Sequence, residues 1–121
     1  MKTKAQMYIR KLMFIISFLP VASCVQKPPA PQVLRDGVRF LFVAPSAKSV
    51  AIAGSFNRWN PESGRLSGPD RKGLWEVTLP LSEGRYEYRF VVNDSEWVLD
   101  PSVPSVDDGL GGKNSILVIS Q

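Results

Sequence analysis

The sequence predicts an all-β fold, an immunoglobulin-like antiparallel β-sandwich. Short runs of alternating apolar and polar residues recur along the chain, and Gly, Pro, Asn, Asp and Ser separate them. No segment after Cys24 shows the periodicity of a helix. The 10 Pro and 9 Gly among 121 residues also suit short strands joined by tight turns. Six or more such strands in one small unit favour two packed antiparallel sheets.

Alternation along two of the predicted strands shows which side chains are expected in the core. The predicted strands are 38–43, 49–53, 74–79, 85–92, 97–99 and 116–119. In 74–79, Trp75 shares one face with Val77 and Leu79, so Trp75 is expected to be a core residue. The run 85–92 alternates most cleanly, with aromatic or aliphatic side chains at even positions and charged ones at 85, 87 and 89. Its even positions are therefore expected in the core and its charged residues in solvent.

Residues 1–23 are predicted to be a signal peptide. Lys2, Lys4, Arg10 and Lys11 precede an apolar run from Leu12 to Leu19, which is far shorter than the ~20 residues of a membrane-spanning helix. Val21-Ala22-Ser23-Cys24 follows and resembles the lipobox of bacterial lipoproteins. That resemblance implies cleavage before Cys24, a thioether-linked diacylglycerol on its sulfur and acylation of the new N terminus. Two or more acyl chains give stable membrane anchoring. A secreted protein with a free thiol and an uncleaved anchor are the alternatives.

The sequence after the lipobox predicts where the domain begins and where the chain is located. Residues 24–32 contain Pro28, Pro29 and Pro31 and are predicted to form an extended tether from the lipidated cysteine. Residues 33–121 are predicted to form the single β-sandwich domain. The chain is expected to be exported and lipid-anchored. Val25, rather than Asp, follows the cysteine, which resembles the sorting pattern for the outer membrane in cells that have two membranes.

Charge and composition exclude several classes of function. The formal net charge is +4, but four of the 15 basic residues precede Cys24, which leaves 11 bases against 11 acids. A nucleic-acid partner is therefore not expected. The chain has no His, which excludes histidine-based catalysis and histidine metal ligands. Asp107 and Asp108 are interpreted as solvated loop charges, since adjacent residues on an extended chain point to opposite sides. No enzyme activity, metal or cofactor is expected.

Several motifs in order point to a known family. Trp59 is notable because it lies in a polar, turn-rich segment that would not need an aromatic residue merely to connect two strands. The motifs are Gly54-Ser55-Phe56-Asn57-Arg58-Trp59-Asn60, Gly73-Leu74-Trp75-Glu76-Val77, Gly84-Arg85-Tyr86-Glu87-Tyr88-Arg89-Phe90, Trp97, Asp100-Pro101 and Gly109-Leu110-Gly111-Gly112-Lys113-Asn114. With these motifs, the chain from about residue 38 to 119 resembles the glycogen-binding domain of AMP-activated protein kinase β subunits, carbohydrate-binding module family 48. The wider group includes early-set domains that precede the catalytic barrels of branching and debranching enzymes.

The resemblance implies a non-catalytic, early-set β-sandwich that binds α-1,4-linked glucans. In that family two tryptophans form platforms for glucose rings, a cation and an amide bond sugar hydroxyls, and a leucine protrudes into the turn of the glucan helix. The positions that match here are Trp59, Trp97, Arg89 in place of the usual lysine, Asn114 and Leu110. The chain departs from the family at Gly112, where the family has a threonine, and this removes a hydroxyl contact.

Each of these residues also has a simpler interpretation. Trp97 could be an ordinary strand residue that shares a face with Leu99, and Arg89 could be a solvated charge on an exposed face. Leu110 could close the core. A second function follows from these alternatives, a protein–protein interaction module of an envelope complex whose sugar site is lost. Exposure separates the two functions, because side-by-side, accessible Trp59 and Trp97 rings favour glycan binding and buried ones do not.

Overall fold

The computed structural model describes residues 17, 19–20 and 26–120, and eight β-strands form within them. A short 3-10 helix, Pro61–Ser63, lies between the third and fourth strands. The all-β prediction is confirmed. The strands are β1 Gln32–Leu34, β2 Gly37–Val43, β3 Val50–Gly54, β4 Leu74–Leu79, β5 Gly84–Val92, β6 Glu96–Val98, β7 Ser105–Asp107 and β8 Lys113–Ile119.

The strands form two antiparallel sheets. One sheet has three strands in the order β1-β2-β4, and the other has five, in which β3-β5-β8-β7 are neighbours and β6 also pairs with β5. Strand β5 is long enough to pair along one edge with β3 and along the other with both β8 and β6. It therefore lies at the centre of the five-stranded sheet and fixes the register of the strands on both sides.

The core lies between the two sheets and is rich in aromatic residues. Alternation along β4 and β5 places their side chains as predicted: Trp75 is 5% exposed, and Tyr88 and Phe90 are fully buried. The Trp75 indole N–H donates to the Ala44 carbonyl oxygen at 2.9 Å, which satisfies its polar group inside the core. The prediction that Trp75 is a core residue is confirmed.

The sequence prediction misses two strands, and both are only three residues long. β1 follows the Pro-rich segment and begins at Gln32, one residue before the predicted start of the domain. β7 has the sequence Ser-Val-Asp and pairs with β8. Unlike the wholly apolar run 97–99, these segments contain only two and one apolar residues, so their pairing with β2 and β8 reveals them and their sequence does not.

The Pro-rich segment lies against the three-stranded sheet. Leu41 on the outer face of β2 is only 6% exposed, and Pro28 and Pro29 line the same cavity of about 420 Å³ as Leu41 and Leu74. Pro29 is itself half-buried. The segment from Gln26 to Pro29 thus borders this sheet, and the tether proposed for residues 24–32 stays a prediction.

The predicted signal peptide and lipidation residue lie largely outside this structure. Cys24 and most of residues 1–23 are not among the described residues. In the described part of the chain, no helix has the length and apolar character that a membrane crossing requires.

Candidate functional site

The outer face of the five-stranded sheet brings together residues from four strands. Cross-strand pairing places Ala51, Val91 and Trp97 in one row, and Ala53 and Arg89 in the next. Because paired residues share a face, all five lie on the side of the sheet that faces away from the core. The small side chains of β3 leave room above this part of the sheet. We call it the outer face, and it is where most of the predicted site residues lie.

Trp59 reaches the outer face from the loop after β3. Its ring packs on a small apolar cluster of Ala51, Ala53 and Val91, which are at most 2% exposed, and the ring itself is half-buried. Val91 is buried although it lies on the same side of β5 as Arg89, and the alternation along β5 made no prediction for it. The Trp59 ring covers these residues from a loop, so alternation along the strand could not reveal it.

The Trp59 loop has an unusual backbone held by specific hydrogen bonds. Arg58 and Trp59 have φ values of 56° and 59°, the left-handed region that residues other than glycine seldom adopt. The Asn57 side chain spans the turn: its oxygen accepts from the Gly54 N–H at 2.9 Å and its NH₂ donates to the Ile52 carbonyl at 3.0 Å. Trp59 N–H donates to the Gly54 carbonyl at 3.0 Å. These bonds hold the loop in the conformation that places Trp59 on the sheet.

Trp97 lies beside this cluster on β6. The tight turn that precedes β6 has Asn93 and Asp94 at φ values of 51° and 62°, and it places Trp97 opposite Val91. The Trp97 side chain is 41% exposed. The Arg89 guanidinium lies 5.6 Å from the centre of its ring, within the range of a cation–π interaction. Trp97 is therefore not a core residue, and neither Trp59 nor Trp97 is fully buried.

A row of polar side chains continues from Arg89 across the outer face. Arg89 Nε donates to Asn114 Oδ1 at 3.0 Å, and Asn114 Nδ2 donates to Glu87 Oε1 at 3.4 Å. Glu87 Oε2 in turn accepts from Arg85 at 3.0 Å. Asn114 is 7% exposed and its amide is engaged on both sides. In this structure its contacts orient Arg89 and leave little of the amide free for a ligand.

Leu110 lies at the tip of the loop between β7 and β8 and is 91% exposed. This exposure excludes the interpretation that Leu110 closes the core. Gly109 and Gly111 on either side have φ values of 79° and 88°, so the loop turns sharply at both positions. The Asp108 carboxylate accepts from the N–H groups of Leu110 and Gly112. These two bonds, assisted by the Arg89 charge, lower the pKa of Asp108 below its ordinary value.

The structure thus places the predicted residues Trp59, Arg89, Trp97 and Asn114 on one face, with Leu110 on the adjoining loop. It also adds two residues that sequence reasoning missed. Glu87 bonds Asn114, and Asp108 faces Arg89, so the interpretation of Asp108 as a solvated charge is wrong: its side chain is 12% exposed. Asp108 and Gly112 are separated from Arg89 by many residues, and no local pattern indicates such a contact.

The acidic side chains of this face are bonded to other groups of the protein. Among the described residues, no group of three or more His, Cys, Asp or Glu side chains is arranged to hold a metal ion. The acidic residues of the face are engaged: Glu87 pairs with Arg85, and Asp108 bonds the loop backbone.

Comparisons with known proteins agree with this geometry. A family model described as the glycogen recognition site of AMP-activated protein kinase matches residues 39–121. Protein PTST homolog 2, chloroplastic, of Arabidopsis thaliana is 37% identical over 75 residues, which are 62% of this chain and 13% of that protein. The 1,4-alpha-glucan branching enzyme GlgB of Francisella tularensis subsp. novicida (strain U112) is 37% identical over 62 residues, 50% of this chain and 10% of the enzyme.

The chain therefore spans only a small part of the length of these relatives, and the enzyme matches over that part alone. The family model, in contrast, covers more than half of this chain, including most of β2 and all of β3 to β8. The resemblance drawn from the sequence motifs is confirmed: the protein belongs to the carbohydrate-binding family described as the glycogen recognition site of AMP-activated protein kinase.

Proposed function

We propose that this protein binds an α-1,4-glucan of the glycogen or starch type, or a related glycan, on the outer face of its five-stranded sheet. The observation that carries the proposal is the placement of Trp59 and Trp97 around Val91, with Arg89 beside Trp97. Neither tryptophan is needed to fill the core between the sheets. Membership of a glycogen-recognition family supports the same ligand class.

The residue types suit a sugar ring. A pyranose has a C–H face that an aromatic plane can cover while its hydroxyl groups remain in water. Arg89 keeps guanidinium N–H groups beyond the one that it donates to Asn114, and such groups can donate to hydroxyl oxygens. The Arg89 side chain is 31% exposed, so these groups are accessible from solvent.

The charges of the outer face favour a neutral ligand. Arg85 pairs with Glu87 at 3.0 Å, and Arg89 lies 3.9 Å from Asp108. Each cation on this face thus has an acidic neighbour, so the face offers polar groups with little net charge. A neutral polyhydroxylated chain fits that pattern better than a phosphorylated or acidic polymer, which would meet Glu87 and Asp108.

Binding is expected to be weak and to increase with chain length. If each tryptophan covers about 60–80 Å² of sugar surface, each contributes about 1.5–2 kcal/mol. Ordering a flexible glucan opposes this gain, so the dissociation constant is expected at about 0.1 mM to several mM.

Affinity electrophoresis tests the proposal. The wild type should be retarded in native gels that contain amylopectin, and Trp97→Ala should migrate as it does in gels without polysaccharide. Val43→Ala is the matched control, because Val43 is an exposed apolar residue (49%) on the outer side of the other sheet. A wild type that is not retarded by amylopectin or glycogen, at concentrations well above the expected dissociation constant, would contradict glucan binding.

The protein is further proposed to act by binding alone. Purified protein incubated with glycogen should release no reducing sugar. Steady release that survives repurification, and that scales with protein concentration, would overturn the non-catalytic assignment. Wild-type protein should also fail to retain DNA at moderate salt.

The proposal includes a lipid anchor at Cys24, which rests on the lipobox-like tetrad and the short apolar run before it. The mature protein should partition into detergent and incorporate label from a fatty acid. Cys24→Ala should lose both properties. Label that persists in Cys24→Ala, or wild type that stays in the aqueous phase, would refute the anchor.

A further inference from the structure

The loop that carries Leu110 owes its shape to one carboxylate. Asp108 Oδ1 accepts from Leu110 N–H at 2.7 Å and from Gly112 N–H at 2.9 Å, and Asp108 N–H donates to the Gly112 carbonyl at 3.0 Å. A leucine that is 91% exposed has no packing of its own to hold it in place. The direction in which Leu110 projects therefore depends on these three bonds.

The second oxygen of the same carboxylate faces the cation of the outer face. Asp108 Oδ2 lies 3.9 Å from Arg89 Nη2, while the Arg89 Nε is bonded to Asn114 at 3.0 Å. The Asp108 side chain is 12% exposed, so this contact is largely shielded from water. One side chain thus contacts both the loop that presents Leu110 and the guanidinium beside Trp97.

Gly112 provides the space that this carboxylate occupies. A Cβ atom added at residue 112 would lie 2.7 Å from Asp108 Oδ2, closer than real Cβ contacts. The backbone at Gly112 is outside the left-handed region, so space rather than conformation excludes a side chain. The carboxylate could move aside only by giving up its bonds to Leu110 and Gly112 or its place beside Arg89.

We infer that Asp108 is a positioning residue of the glycan face, which holds Leu110 and Arg89 in one arrangement, and that Gly112 is required because of it. The inference rests on the proposed function for its effect on binding, but not for its effect on the loop. The inference also changes the interpretation of Gly112, from the loss of a hydroxyl contact to a position that must lack a side chain. A threonine at that position would displace Asp108 and weaken binding, although it would restore the residue typical of the family.

The effect of Asp108 on the loop and on Arg89 is tested by NMR on the full chain in detergent without ligand. Asp108→Ala should raise the mobility and hydrogen exchange of the Leu110 and Gly112 amides and shift the Arg89 Nε–H resonance. Asp107→Ala is the matched control, since the Asp107 carboxylate accepts only from Gly109 N–H among the described contacts. Asp108→Asn should keep an oxygen for the amides but still shift the Arg89 resonance. Unchanged loop amides in Asp108→Ala would overturn the inference.

The effect of Asp108 and Gly112 on glucan affinity is tested by titration with maltoheptaose. Asp108→Ala and Gly112→Thr should each weaken affinity by about fivefold to tenfold, the scale of losing charge-assisted hydrogen bonds. The double variant should be no weaker than Asp108→Ala, because threonine then has no carboxylate to displace. Tighter binding by Gly112→Thr, or additive losses in the double variant, would overturn the coupling. A wild type that does not bind maltoheptaose contradicts the proposed function, while the NMR comparison still decides the role of Asp108.

Discussion

Aromatic residues occupy both sides of the five-stranded sheet, and their neighbours differ. On the inner side rings contact rings: the Phe42 and Phe90 centroids are 4.5 Å apart, and those of Phe40 and Tyr88 are 5.0 Å apart. On the outer face Trp59 lies on two alanines and a valine.

Because of this difference in neighbours, removing an aromatic ring is expected to have different effects on the two sides of the sheet. Inside, large neighbours enclose each ring, so removing a ring leaves a cavity. Outside, Trp59 lies on small residues, Trp97 lies beside Val91 and Arg89, and both keep a side toward water, so removing one leaves the core filled. The interior should therefore determine stability, and the outer face should determine affinity.

The sharpest test of this contrast is Trp75→Ala. The substitution should cost about 3–5 kcal/mol of unfolding free energy, because it opens a cavity and removes the indole bond to the Ala44 carbonyl. Urea denaturation measures the loss. For a domain of this size such a loss can unfold the protein. A Trp75→Ala variant with near wild-type stability would break the distinction between the two sides.

A second interior test is Tyr88→Phe, which keeps the ring and removes only its hydroxyl. The Tyr88 hydroxyl donates to the Asp100 carboxylate at 2.6 Å, and Asp100 is 3% exposed. Loss of this donor should cost about 2–3 kcal/mol, since a buried carboxylate is left with fewer partners. Burial, and then the Asp100 charge, raise the pKa of Tyr88 well above its ordinary value, so this hydroxyl stays protonated in ordinary buffers. Urea denaturation of the two proteins in parallel gives the difference, and equal midpoints would contradict it.

On the outer face, Trp59→Ala and Trp97→Ala should each reduce glucan affinity by about 10-fold to 30-fold, or about 1.5–2 kcal/mol. Their unfolding free energies should change much less than that of Trp75→Ala. Affinity gels and urea denaturation on the same preparations separate the two effects. Variants that lose several kcal/mol of stability yet bind normally would show that these rings serve the fold.

The smallest expected effect is on acid stability. Backbone N–H groups of Leu74 and Lys72 lower the pKa of Asp70, and those of Leu110 and Gly112 lower the pKa of Asp108. A carboxylate whose pKa is lowered by folding stabilises the native state above its ordinary pKa, and that contribution disappears as pH falls through the lowered value. Asp70→Asn should therefore show a shallower loss of stability in acid than the wild type. Parallel curves for the two proteins in urea at a series of acidic pH values would exclude this contribution.

The core could be predicted from the sequence because its signal is local. Alternation along β4 and β5 identifies Trp75 and Tyr88 as inward-facing residues without any knowledge of their partners. The family motifs likewise indicate Trp59 and Trp97. Burial of Val91 could not be predicted, because a ring from a distant loop covers it. The contact of Asp108 with Arg89 depends on the pairing of β5 with β8, which brings together residues far apart in the sequence.

Under the proposed lipid anchor, the position of the Pro-rich segment would decide which way the domain faces. Gln26 and Pro28 line the cavity beside the three-stranded sheet, on the opposite side of the domain from the outer face of the five-stranded sheet. Two residues of chain span at most about 7 Å, so the proposed lipid would attach within that distance of Gln26. An anchored domain would then turn its three-stranded sheet toward the bilayer surface. The two tryptophans would point into the aqueous space, where a long polysaccharide could reach them without approaching the lipid.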